Sequence, residues 1–158
     1  HQALAGAVDS YARARLAGHP VISLLVGKSM SGAFLAHGYQ ANRIIALKDA
    51  GVMVHAMGKE SAARVTLRTV DELEKLAASI PPMAYDIESY ATLGLLSDLL
   101  TVVNPEQPTT EDIACVQDAF LQALNDIQTT GSTGLEHRLH GENRQMSKRV
   151  RELLREQW

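Results

Sequence analysis

The apolar positions first resolve into a helix: Leu4, Val8, Tyr11, Ala12 and Leu16 recur at helical spacing, and Gly18 followed by Pro20 stops them. Val21 to Val26 is a β-branched-rich apolar run and predicts a buried strand. Small residues follow in Gly27-Lys28-Ser29-Met30-Ser31-Gly32, and an apolar helical pattern resumes through Ala33, Phe34, Leu35 and Ala36 to Gly38, which closes it. The stretch therefore reads as strand, tight turn and helix. Arg43 to Leu47 predicts a second strand, Lys48-Asp49-Ala50-Gly51 a turn, and Val52 to Ala56 a third strand. Met57-Gly58-Lys59-Glu60-Ser61-Ala62-Ala63-Arg64 then repeats the succession of strand, glycine loop and helix.

Thr69 and Glu72 form a capping box that opens a helix to Ser79, where Pro81-Pro82 interrupts regular structure. Asp86 to Leu93 predicts a short helix ending at Gly94, and Leu95 to Val103 fits a strand or a helix equally. Beyond Pro105 and Pro108, Thr109 caps a long helix whose Ile113, Val116, Phe120, Leu124 and Ile127 form a stripe. Residues 129–134 have linker composition, and residues 135–158 read as a basic amphipathic helix with Leu135, Leu139, Met146, Val150, Leu153 and Leu154 among six Arg or Lys. The expected organisation is an α/β domain over residues 1–128, a linker over 129–134 and the tail over 135–158.

Composition narrows the class. At 158 residues and 46% apolar, the chain holds one domain or most of one. No apolar run approaches the roughly 18 to 20 residues a membrane helix needs, and nothing at the start resembles a signal peptide. A single cysteine, Cys115, precludes an intramolecular disulfide or a cysteine-based zinc site, so a reducing, cytoplasmic setting is expected. The net charge of -3, with two Phe and one Trp, argues against nucleic-acid binding. His1 begins without a methionine inside a helical pattern, so the chain reads as a fragment.

The chemistry concentrates where Val21–Val26 hands over to the helix, because the first N–H groups of a helix lack intrahelical acceptors and sit at its positive end. Gly27-Lys28-Ser29 invites a phosphate-loop reading, but that motif needs a glycine where this chain has Ile22. Ser29 and Ser31 invite a serine-nucleophile reading, yet the elbow pattern is one residue out of register and His37 lies down the same helix. His137 and His140 have helix-face spacing without a third ligand, so no metal site is expected. Backbone chemistry survives. Ser31, Gly32 and Ala33 are small enough to let an oxygen reach the main chain, Met30 is placed to exclude water, and Lys28 adds positive potential, with Ser29 and Gly58 as further binding positions. The plainer reading is that small residues only permit close strand-to-helix packing.

Val26-Gly27-Lys28-Ser29-Met30-Ser31-Gly32-Ala33-Phe34-Leu35-Ala36-His37-Gly38, with His55-Ala56-Met57-Gly58-Lys59-Glu60-Ser61-Ala62-Ala63-Arg64-Val65 and Pro81-Pro82-Met83-Ala84-Tyr85-Asp86-Ile87-Glu88-Ser89-Tyr90, closely resembles the gamma subunit family of biotin-independent malonate decarboxylases. The resemblance is best over Leu4 to Leu95. More distantly the chain is similar to the alpha-type half of acetyl-CoA carboxylase carboxyltransferases. That similarity implies a crotonase-like fold of the ClpP/crotonase superfamily: stacked β-β-α turns, with additional C-terminal helices and an N-terminal truncation here. Ser29, Met30 and Ser31 stand where those carboxyltransferases are richer in glycine, and Gly58-Lys59-Glu60 stands where they carry Pro-Glu-Gly. Both departures fit an enzyme that releases carbon dioxide instead of passing it to biotin.

The resemblance implies a lyase subunit in which a malonyl thioester on an acyl-carrier subunit loses carbon dioxide and the acetyl enolate is held by backbone donors. The implied partners are a beta subunit, the acyl-carrier subunit and, further, the acyl-transferase alpha subunit. No cofactor is bound directly; the thioester rides on a phosphopantetheine-type, dephospho-CoA-derived arm. His37, His55 and Tyr85 all qualify as proton donor. Arg138, Arg144, Lys148 and Arg149 are candidates to meet the carrier or the arm's phosphates. The fragment alone is expected to be inactive. The alternatives are a non-catalytic assembly scaffold of the same complex and a ClpP-like serine peptidase relative.

Overall fold

The computed structural model describes residues 1–158, the side chain of Glu142 excepted. Helix α1 spans Gln2–Leu16 and ends where Gly18 adopts a φ of +84°. Strand β1, Ile22–Leu25, steps through Val26 and Gly27 into β2, Lys28–Met30, which leads to α2, Gly32–His37. The next unit repeats this order: β3, Arg43–Leu47, then β4, Met53–His55, then α3, Lys59–Val65. Each unit thus places one strand in each of two sheets before its helix. β1 and β3 pair in parallel, as do β2 and β4. Helices α4, Val70–Ala77, and α5, Ile87–Ala91, precede β5, Asp98–Leu100, which joins the far side of β3 to give the order β1-β3-β5. The long α6, Thr110–Thr130, and α7, Gln145–Gln157, complete the chain.

The physical centre is β3. All five residues of Arg43–Leu47 are buried, and the apolar run Ile44–Leu47 is that of a parallel strand covered on both faces. Ile44, Ile45 and Ala46 are wholly inaccessible, and Leu25, Phe34, Val52, Val54, Leu100 and Ala119 pack around them. Asn42, also wholly buried, holds the start of this sheet: its Oδ1 accepts from Val21 N–H at 2.6 Å and its Nδ2 donates to the Thr133 carbonyl.

Several expectations need correction. The turn through Lys28-Ser29-Met30 is itself a strand, too short to announce itself and formed because β4 offers a parallel ladder. Gly38 does close α2, as expected. Its φ is -63°, the chain tightens into a 3-10 turn over Gly38–Gln40, and the glycine is needed because a Cβ would collide with the Phe34 ring. The stripe of α6 buries Ile127 and packs Val116 and Phe120 against the core as expected, but Ile113 is exposed and Asp112, Ala119 and Ala123 are the other buried positions. The capping boxes at Thr69 and Thr109 are both formed.

Nor do residues 129–134 hang free. α6 continues to Thr130, Gly131 closes it with a φ of +61°, and the Thr133 hydroxyl donates to the Arg15 carbonyl at 2.7 Å. The expected helix over 135–158 begins only at Gln145, after 3-10 turns over Glu136–His140 and Glu142–Arg144. Arg138 is the anchor of this segment: it is buried, and its guanidinium donates to the carbonyls of Tyr39 and Ala41. It is therefore not a cation free to meet a carrier. Among the described residues no helix is long and apolar enough to cross a membrane.

Candidate functional site

Because β2 and β4 are parallel neighbours, their C-terminal ends reach the same edge, and a helix follows each of them. The register pairs Met30 with His55, and one further rung forms when Ser31 N–H donates to the His55 carbonyl at 2.9 Å. That rung holds Ser31 at φ 75°, ψ 176°, a region almost reserved for glycine and worth about 1–3 kcal/mol of strain in any other residue. Strain of this kind persists only where the surroundings impose it, and it gathers at working sites.

Immediately after the strained residue come the first amides of α2. Gly32 and Ala33 are exposed, their N–H groups have no acceptor in the chain among the described residues, and the Ser31 side chain does not cap them. The expected donor set of Ser31, Gly32 and Ala33 is thereby reduced: the Ser31 amide is already engaged, leaving Gly32 and Ala33 open. Met30 packs against the small cluster of Ala62, Leu73 and Tyr85, so it ties the turn to α3 and α4. Lys28 is exposed at the opposite end of β2, and Ser29 is half-buried. Gly58 is the N-cap of α3, its backbone extended with φ -62°.

The three titratable candidates separate. His37 ends α2 and stacks on Tyr11 of α1, with centroids 5.8 Å apart, away from the open amides. His55 and Tyr85 come together in a near-parallel stack, centroids 4.0 Å apart and planes 11° apart. The His55 Nδ1 lies 3.1 Å from the Met57 carbonyl, and burial pulls its imidazole below the ordinary range. Lys59 sits 5.5 Å over the Tyr85 ring and pairs with Glu74 at 2.8 Å. Burial raises the Tyr85 hydroxyl, which finds no hydrogen-bond partner. The Lys59–Glu74 pair went unseen in the sequence because 15 positions separate its members; the only signal was the Gly58-Lys59-Glu60 string itself.

A serine nucleophile is not assembled. Among the described residues no hydrogen bond joins Ser29 or Ser31 to an imidazole, and the only histidine on α2 is at its far end. Likewise, no group of three or more His, Cys, Asp or Glu side chains among the described residues is arranged to hold a metal ion.

Parallel strands that end at one edge, with open amides beside a strained turn, make this an α/β protein that leaves main-chain donors unspent at that edge. Comparison with known proteins makes this specific: the chain belongs to the family described as malonate decarboxylase gamma subunit, whose model matches residues 1–158. It is similar to a subunit of a Pseudomonas malonate decarboxylase hetero-tetramer solved in complex with coenzyme A, at 67% identity and a TM-score of 0.92 over 100% of this chain and 60% of that one. A Pseudomonas MdcD-MdcE hetero-dimer gives 63% identity and a TM-score of 0.85, covering 100% of this chain and 58% of its counterpart. The malonyl-S-ACP:biotin-protein carboxyltransferase MADD of Malonomonas rubra is 31% identical over 129 residues, 81% of this chain and 41% of that protein. The chain thus spans about three-fifths of the solved subunits and less than half of the carboxyltransferase.

Proposed function

We propose that this chain is the part of a malonate decarboxylase gamma subunit that holds the carboxylate end of a malonyl thioester while carbon dioxide leaves. Decarboxylation beside a thioester needs a seat for the departing carboxylate, stabilisation of the enolate oxygen and a proton donor, and the first two are met by oriented N–H groups. The observation that carries the reading is the strained Ser31 followed by the open amides of Gly32 and Ala33. Gly58, the N-cap of the neighbouring α3, flanks the approach to these amides, whereas Lys28 lies at the far end of β2 and acts only through its charge. His55, adjoining the turn through its own carbonyl, is the titratable side chain best placed to return a proton to the enolate carbon. The hydrogen bonds to the oxyanion are divided between this subunit and a beta subunit, and the substrate arrives on the phosphopantetheine-type arm of an acyl-carrier subunit charged by an acyl-transferase alpha subunit. The two successive strand-strand-helix units, each feeding two parallel sheets, support a crotonase-like fold.

Gly32→Pro tests this in the full-length subunit assembled with its beta partner and assayed on malonyl-carrier. Proline is tolerated at the first helical position, so the substitution deletes one donor while sparing the helix. The expected loss is about 10²–10³ in kcat, the worth of one oxyanion-type donor. Ser29→Ala and Ser31→Ala should remain active, since neither hydroxyl attacks the substrate. A folded Gly32→Pro complex with unchanged kcat would instead make the chain an assembly scaffold.

A further inference from the structure

The segment that carries Tyr85 is laid along the outer edge of β4. Val54 N–H donates to the Tyr85 carbonyl at 3.3 Å, and the next rung is an antiparallel bridge between Met53 and Asp86. β4 is thereby held from two sides, by β2 in parallel and by this segment in the opposite sense. The Tyr85 ring is buried against Ala62, Leu73, Met30 and Met83, and its hydroxyl is sealed from solvent without a partner. A sealed hydroxyl can reach no substrate, so Tyr85 drops out of the candidate proton donors and acts through the face of its ring.

That face carries the His55 imidazole, 4.0 Å away and 11° from parallel. Met30 and His55 are register partners, so their side chains leave the sheet on one side, and Met30 directly precedes the strained Ser31. The second constraint on the imidazole is the Met57 carbonyl, 3.1 Å from Nδ1. A carbonyl oxygen only accepts, so this contact places the ring proton on Nδ1 and leaves Nε2 as the exchanging nitrogen. The Met57 N–H, 3.4 Å from Nδ1, is the longer of the two contacts. The charged groups around the stack are engaged elsewhere: Lys59 of α3 pairs with Glu74 of α4, Asp86 caps α5, and Glu60 of α3 is exposed. Among the described residues no carboxylate bonds to the imidazole, so the stack and the Met57 carbonyl orient it.

We propose that Tyr85 is a positioning residue: its ring face, with the Met57 carbonyl, holds the His55 imidazole in one plane with a proton on Nδ1, so that Nε2 is the atom that hands a proton to the enolate carbon. This rests on the malonyl-thioester reading above. In that step the Nε2–H bond of the imidazolium breaks, the electron pair of the enolate forms the new C–H bond, and the thioester carbonyl is restored. The neutral ring left behind carries its proton on Nδ1, the tautomer that the Met57 carbonyl already favours, so no rearrangement accompanies the transfer. His55 is half-buried, and water returns a proton to Nε2.

The test uses the full-length subunit with its beta partner, assayed on malonyl-carrier. Tyr85→Leu, which removes the flat face, is expected to lower kcat about ten- to a hundredfold with KM unchanged, the order that a misplaced catalytic group costs. Tyr85→Phe, which keeps the face, should rescue kcat. Tyr85→Met takes the place of the leucine variant if that complex does not assemble. Imidazole nitrogen NMR, with the His55 signals identified by their loss in His55→Gln, should show neutral His55 protonated on Nδ1 and its ring protons displaced upfield by the stack in the parent and in Tyr85→Phe, and both signatures lost in Tyr85→Leu. An assembled leucine or methionine complex with the parent's kcat, an equal fall for Tyr85→Phe, or a parent His55 protonated on Nε2 overturns the proposal. If His55→Gln itself leaves kcat unchanged, the proton donor assigned above fails instead, and the NMR signatures decide the role of Tyr85 by themselves: present in the parent and lost with leucine they support it, and any other pattern overturns it.

Discussion

Replacing Ser31 by glycine should stabilise this protein, although it removes a side chain and loosens the unfolded chain. Ser31 sits at φ 75°, ψ 176° because its N–H completes the β2–β4 ladder at His55 and its carbonyl must then open α2. A residue with a Cβ bears about 1–3 kcal/mol of strain there. Glycine removes that strain at an entropic cost of about 0.5–1 kcal/mol in the unfolded state. The serine side chain is exposed and makes no hydrogen bond, so nothing else is lost. The net gain is up to about 2.5 kcal/mol. At about 2–4 °C per kcal/mol for a chain of this size, the unfolding midpoint should rise by up to about 10 °C. Ser31→Ala is the control: alanine keeps the Cβ and therefore the strain, so its midpoint should stay near that of the parent. Differential scanning calorimetry of the two variants decides the matter. A lower midpoint for Ser31→Gly, or the same gain for alanine as for glycine, would refute the assignment of strain to this residue.

Other outcomes follow from the packing. Gly141→Ala should destabilise by about 1–3 kcal/mol, since a Cβ there runs into the Leu93 carbonyl where Gly141 passes 2.7 Å from the position of a Cβ on Gly94; limited proteolysis should then cut the C-terminal segment faster. Arg138→Met should cost about 2–3 kcal/mol, read from urea unfolding, because the Tyr39 and Ala41 carbonyls lose their charged donor in a buried setting. His55 titrates below its ordinary 6.5 in the folded chain, so between the two values the unfolded state binds more protons. Its contribution to stability is complete above the ordinary value and is lost as pH falls through the folded one. His55→Gln should therefore flatten the pH dependence of unfolding free energy over roughly pH 7 to 5; an unchanged slope would show that His55 is not buried against Tyr85.

Local order was legible wherever one residue type acts on its own neighbours. The capping boxes at Thr69 and Thr109 need only a side chain and an amide three positions away, and both are formed as the sequence indicates. The apolar Ile44–Leu47 run after Arg43 was legible as a strand, and α1 ends at Leu16, just before the Gly18 stop its pattern indicates. The stretch from Gly27 to Ala33 was legible as a place of interest because small residues at a helix start leave amides open.

What that stretch does with its amides was decided by tertiary structure. Lys28-Ser29-Met30 becomes a strand only because Met53–His55, 25 residues on, supplies the ladder, and the same pairing consumes the Ser31 amide and strains its backbone. Likewise, nothing local in Arg138 distinguishes it from the exposed cations of α7; it is buried because the carbonyls of Tyr39 and Ala41 lie where the chain returns. The amino-acid sequence by itself determined the helices, the central strand and the location of the candidate site. Which donors that site keeps was determined by contacts between residues far apart in the chain, since a hydrogen-bonding group is free or occupied only after its neighbours in space are known.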